Sequence, residues 1–145
     1  MTLPPPRAPA RERSFLAFDF GTRRVGVASG SRLLGRGQGL QTIAAEGDAR
    51  FAAIARLVDE WRPDALVVGV PRHPDGAEHD NTRRARRFAR QLHGRFRLPV
   101  HEVDERYSTV EALAEGATDA DAAAAAILLT QYLDGLTEDD DDAAA

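Results

Sequence analysis

A chain of 145 residues, 43% hydrophobic and 29% charged, has the size of one domain with one core. It has no cysteine, which excludes disulfides, thiolate chemistry and zinc–cysteine sites; no membrane-length apolar run or apolar signal core is present, so a cytoplasmic protein without a membrane partner is expected. The net charge of −4 hides an uneven distribution: Glu138 to Asp142 alone carry −5, while the segment from Arg72 to Arg97 holds eight Arg against Asp75, Glu78 and Asp80.

In chain order, residues 1–13 (three consecutive prolines, then Arg-rich) and 137–145 (acidic, then Ala) are expected to be disordered tails around one domain at 14–136. Strand-like segments at about 14–20, 24–29 and 38–43 are separated by Gly-containing turns. A helix is predicted from about Asp48 to Trp61, with Phe51, Ile54, Ala55 and Val58 at helical spacing, and Pro63 stops it. "ALVVGV" (65–70) is short, wholly apolar and valine-rich, as a central parallel strand should be.

The next helix, at about 81–94, puts Ala85, Phe88, Ala89 and Leu92 on one side. Arg83, Arg87 and Arg90 fall opposite, flanked by Arg84 and Arg86. A short strand, "VHEV" (100–103), follows Pro99. Ser108 with Glu111 forms a capping box for a short helix that Gly116 ends. Thr118 is expected to cap the last helix, "DADAAAAAILLTQYLD" (119–134), which Gly135 ends. Early strands followed by alternating helices and strands predict an α/β layer fold with a mixed sheet.

Three acids stand out against this frame. Asp19 interrupts an apolar strand between Phe18 and Phe20, and a carboxylate there is costly without a partner. Glu105, beside Asp104, follows a strand at its C-terminal end, where open α/β sheets place their sites. Asp121 falls in the first turn of the last helix. Each has an ordinary explanation: an ion pair of Asp19 with Arg23 or Arg24, of Glu105 with Arg106, and a favourable helix N-terminal charge for Asp121. Three carboxylates meeting within about 4 Å would repel by about 4 kcal/mol per pair at an effective dielectric of 20, so such a cluster requires a cation. An all-oxygen site selects Mg²⁺ or Mn²⁺, and two such ions can activate a water and stabilise a leaving oxygen in phosphodiester cleavage.

No acid lies between Arg83 and Arg97 to pair with the helix arginines at i+4. The stripe is therefore a candidate tracker of a nucleic-acid backbone, against the reading of a solvated helix face. His73, in "PRHPDG", is a turn residue first and a general base or phosphate contact second.

"FDFGTRRVGVA" (18–28), "PDALVVGVPRHPDGAEHDNTRRARRFARQL" (63–92), "DERYST" (104–109) and "DADAAAAAILLTQYLD" together resemble the YqgF family, in order and with similar spacing from about Phe15 to Asp134. Its members are described as Holliday-junction-resolvase-like proteins and as nucleases for the 5′ end of pre-16S ribosomal RNA. The resemblance implies an RNase H-like fold, a five-stranded mixed sheet with its first three strands antiparallel, flanked by helices. It carries the family's acidic, metal-holding residues onto Asp19, Glu105 and Asp121. Gly21 and Thr22 would form the turn beneath Asp19, and Gly26 would allow close backbone approach. Arg106, Ser108 and Thr109 become candidate phosphate contacts beside Arg83, Arg84, Arg87 and Arg90.

Two features depart from the family pattern. Only "LAEGATDA" separates Ala112 from Asp121, about half the usual span, and Tyr107 stands where Leu is common. The shorter span bears on activity more than on fold; Tyr107 could stack on a base. The resemblance implies a Mg²⁺- or Mn²⁺-dependent nuclease for structured RNA, in a pre-ribosomal setting. Alternatives are a resolvase of four-way DNA junctions and a non-catalytic RNA- or ribosome-binding module. "DFGT" also resembles the phosphate loop of actin-like ATPases, but those build their cleft from two such domains. A junction resolvase needs two sites and hence a dimer; RNA processing needs one, so a monomer or weak dimer is expected.

Overall fold

Strict alternation of side chains in "SFLAFDF" places Leu16 and Phe18 on one face and Phe15 and Ala17 on the other, all four buried. A strand buried on both faces belongs in the middle of a sheet. In the computed structural model, which describes residues 12–71, 80–105 and 119–136, it does. The strands are β1 (Ser14–Phe20), β2 (Val25–Ser31), β3 (Gly37–Ile43), β4 (Ala65–Pro71) and β5 (Val100–Glu105). They form one sheet in the order β3-β2-β1-β4-β5. The first three are antiparallel, and β4 and β5 run parallel to β1, as expected of an RNase H-like fold.

Helices α1 (Gly47–Trp61) and α2 (Asp80–Phe96) cover one face, and α3 (Ala120–Asp134) covers the other. Phe51, Ile54 and Leu57 of α1, with Phe88, Ala89 and Leu92 of α2, pack on Leu16, Phe18, Val27 and Val68. On the opposite face Leu129, Tyr132 and Leu133 of α3 pack on Phe15, Ala17, Ala65 and Val67. Helix α1 ends at Arg62, which takes a left-handed conformation (φ 48°) and returns its N–H to the Val58 carbonyl before Pro63.

The elements predicted within the described residues are present, with shifted ends. Strand β2 runs on to Ser31, α2 begins at Asp80 and reaches Phe96, and β5 includes Asp104 and Glu105. Glu105 is therefore the last residue of the strand rather than the start of a loop. The cap of α3 is Asp119, not the expected Thr118: its carboxylate accepts from the Ala122 N–H at 3.2 Å. Thr118 lies outside the described residues, as does the helix expected between Ser108 and Gly116.

Of the segments expected as tails, 1–11 and 137–145 lie outside the described residues. Glu12 and Arg13 are described and held. Glu12 is buried, with its carboxylate 2.7 Å from His101 Nε2 on β5, and the Arg13 N–H donates to Asp64 at 2.8 Å. Among the described residues no helix is long and apolar enough to cross a membrane.

Candidate active site

The alternation that buries Phe15 and Ala17 puts Asp19 next in line on the face covered by α3. Its register neighbours are Gly26 on β2 and Gly69 on β4, so no side chain crowds it from either adjoining strand. A partly exposed carboxylate thus rises from a floor of backbone at the C-terminal end of β1.

The same glycine brings in the second acid. A Cβ on Gly26 would lie 1.9 Å from the Asp121 carbonyl oxygen and 3.0 Å from the Ala122 nitrogen, so the first turn of α3 rests directly on β2. The approach extends along the helix: a Cβ on Gly37 would meet the Ala126 carbonyl at 2.5 Å, and one on Gly30 the Leu129 side chain at 2.7 Å. This accounts for the alanine run of α3. Small residues on the helix and glycines on the strands let the two backbones close up, and Asp121 is carried to the strand that pairs with Asp19.

Asp121 is held in turn by Arg24, whose Nε lies 3.1 Å from Asp121 Oδ2. Arg24 comes from the β1–β2 turn, which Arg50 props from beneath. Arg50 is only 5% exposed; it donates to the Thr22 carbonyl at 3.1 Å and the Ala45 carbonyl at 2.7 Å, and lies over the Phe20 ring. Burial pulls its pKa below the usual arginine value, with the Glu46 charge opposing. Asp119 is spent on structure: besides capping α3 it accepts a hydrogen bond from the Thr42 hydroxyl of β3. Of the two acids in "DAD", one builds the helix end and the other pairs with Arg24.

Glu105 ends β5 in register with Pro71, two strands from β1 across β4. The structure thus joins the positions of Asp19 and Asp121 and sets the backbone of Glu105 at the same end of the sheet. Among the described residues no cluster of three metal-ligating side chains forms. Arg106, Ser108, Thr109, Tyr107, His73 and most of the short segment before Asp121 lie outside the described residues.

The arginine stripe is narrower than its sequence. Arg83 pairs with Asp80 one turn earlier, and Arg86 with Glu102 of β5 at 3.4 Å, partners that the i+4 rule did not anticipate. Arg84, Arg87 and Arg90 are exposed, and no described residue forms an ion pair with them. The sequence pattern alone does not single out Arg50, and it offers Arg24 only as a partner of Asp19. Their signal was position, one beneath and one within the turn that follows Asp19. A cavity of 560 Å³ bordered by Ser14, Trp61, Pro63 and Leu34 opens at the far end of β1 and is separate from the carboxylates.

Comparison with known proteins identifies the family. Residues 13–135 match the family model described as "RuvX: Holliday junction resolvase". A protein of Albidiferax ferrireducens is 65% identical over 129 residues, spanning 89% of this chain and 83% of its own length. One from Polaromonas sp. is 60% identical over 131 residues, spanning 90% and 95%. Both are named "Putative pre-16S rRNA nuclease". A solved structure of Thermus thermophilus RuvC aligns with a TM-score of 0.49 at 15% identity, over 83% of this chain and 93% of that one.

Proposed function

The chain belongs to the RuvX family, and on that premise we propose that it is a divalent-metal-dependent nuclease that cleaves phosphodiester bonds in processing the 5′ end of pre-16S rRNA. The observation that carries this reading is the seating of α3 on Gly26, which sets Asp121 beside the strand partner of Asp19. Two carboxylates from elements far apart in sequence are brought to one end of the sheet, on a floor of glycine.

The residues fit a hard ion. The donors are carboxylate oxygens, the chain has no cysteine, and Asp121 already engages a cationic group in Arg24. Asp19, Glu105 and Asp121 are the residues that would hold Mg²⁺ or Mn²⁺. Bound there, the ion would make water a better nucleophile and neutralise charge on the phosphate oxygens. The chain's own residues do the rest. Gly26 gives its side-chain space to the backbone of α3, which seats Asp121 beside the strand partner of Asp19. Arg84, Arg87 and Arg90 supply a row of cations for the RNA backbone. Arg106, Ser108 and Thr109, directly after Glu105, are assigned to the phosphate beside it.

The test is cleavage of a labelled pre-16S 5′ leader by wild type and Asp19→Asn, with Mn²⁺ and with chelator. The expected result is Mn²⁺-dependent cleavage that falls at least about 100-fold in the variant, the upper range for losing even an outer-shell partner of a metal site. Asp19→Asn cleaving like wild type would sink the proposal. A four-way DNA junction run alongside separates the resolvase reading, which the family description favours. Binding without cleavage of either substrate would identify an RNA- or ribosome-binding module.

A further inference from the structure

The turn after Asp19 carries two adjacent arginines in different settings. Arg23 is exposed, whereas Arg24 reaches α3 and pairs with Asp121 at 3.1 Å. The backbone around Arg24 is fixed on both sides. Before it, a Cβ on Gly21 would lie 2.5 Å from the Arg24 carbonyl, and Thr22 is held by buried Arg50. After it, Gly26 is in contact with the Asp121 carbonyl. Turn and helix are therefore placed independently of the ion pair, and the guanidinium bridges two elements already in position.

We propose that Arg24 is the resident counter-cation of the carboxylate site: a positioning residue that neutralises Asp121 when no divalent ion is bound and is exchanged for the ion when one arrives. This rests on the reading of Asp121 as an ion-holding residue. A carboxylate set beside the strand partner of a second acid is eased by nearby positive charge, and the Arg24 guanidinium supplies it to Asp121 without an ion. The Arg24 side chain is 64% exposed, so its release into solvent costs little, while a divalent ion brings twice the charge. Arg24 and the ion are thus competitors for one carboxylate, and the site remains folded and charge-balanced whether empty or loaded.

The test uses the full chain with Arg24→Gln, Arg24→Lys, Arg23→Gln and Asp121→Asn, and two readouts independent of cleavage. These are thermal melting in chelator and Mn²⁺ affinity from the electron paramagnetic resonance signal of free Mn²⁺. Arg24→Gln should melt about 2–4 °C below wild type in chelator. It should also bind Mn²⁺ about 2–5-fold more tightly, the equilibrium equivalent of a partly exposed ion pair. Arg24→Lys should fall between, and Arg23→Gln should change neither readout appreciably. The competition is refuted if Arg24→Gln binds Mn²⁺ no more tightly, if it melts with wild type, or if Arg23→Gln tightens binding equally. Equal Mn²⁺ affinity in wild type and Asp121→Asn would instead overturn the reading of the site beneath it.

Discussion

Gly26 lies directly opposite Asp19 in the sheet, and where its side chain would be stands the carbonyl of Asp121, 1.9 Å from the missing Cβ. One absent methyl group therefore sets how closely the first turn of α3 approaches the strand partner of Asp19. Gly26→Ala cannot be absorbed by a rotamer change, because the obstacle is helix backbone. The substitution should cost about 1–3 kcal/mol as an overpacking change, read as a lower urea midpoint. It should also weaken Mn²⁺ binding, because α3 must move off the sheet. A variant as stable as wild type would mean that the helix is not seated on the strand.

Arg50 predicts a different phenotype. Its guanidinium holds two carbonyls beneath the turn that carries Arg24. Arg50→Met keeps the length and apolar contact with Phe20 but removes both hydrogen bonds. We expect a loss of about 1–3 kcal/mol, in the range for charged hydrogen bonds. Residual activity should fall because the turn loses its support. Denaturation and cleavage measured together check this; full stability with full activity would show the prop to be dispensable.

Asp64 provides a pH signature remote from the site. Partial burial tends to raise its pKa, but hydrogen bonds from the Arg13 and Ser14 N–H groups and the Ser14 hydroxyl, with the Arg13 charge, outweigh it and hold the carboxyl below its ordinary value. A depressed folded pKa means a stabilisation fully present above the unfolded value, near 4, and lost as pH falls through the folded value. The stability gap between wild type and Asp64→Asn should be constant from about pH 7 to 5 and shrink below about pH 4. The group is exposed and solvent-screened, so the gap should be no more than about 1 kcal/mol. A gap that widens in acid would contradict the assignment.

The cations of α2 make a prediction about salt. Each phosphate neutralised contributes about 0.7–0.9 to the slope of log affinity against log salt. Replacing Arg84, Arg87 and Arg90 together by Gln should reduce that slope for RNA binding by about 2 and leave the melting temperature unchanged, since all three are exposed. Arg83 and Arg86 are engaged with Asp80 and Glu102, so Arg83→Gln with Arg86→Gln should change the slope less. Equal effects from the two sets would argue for a diffuse positive field rather than a track.

Periodicity and punctuation in the chain determined the elements and their order. The two-residue alternation of "SFLAFDF", the valine run of β4, the helical spacing around Phe88 and the stops at Pro63 and Gly135 are local signals, and each acts through the backbone of its own segment. Asp19 was also legible by itself, because a strand-centre carboxylate between two phenylalanines violates the local pattern. What only the tertiary structure decided is which residues meet. The sequence shows Gly26 as a small residue and "DADAAAAA" as a helix rich in alanine; that the one receives the other depends on α3 crossing the sheet face nearly a hundred residues later. For the same reason Asp119 is tied to Thr42 of β3, Arg86 found Glu102 of β5, and Arg24 turned to Asp121 instead of Asp19. Charges and hydrogen bonds act over a few ångströms of space, and separation along the chain does not measure that distance.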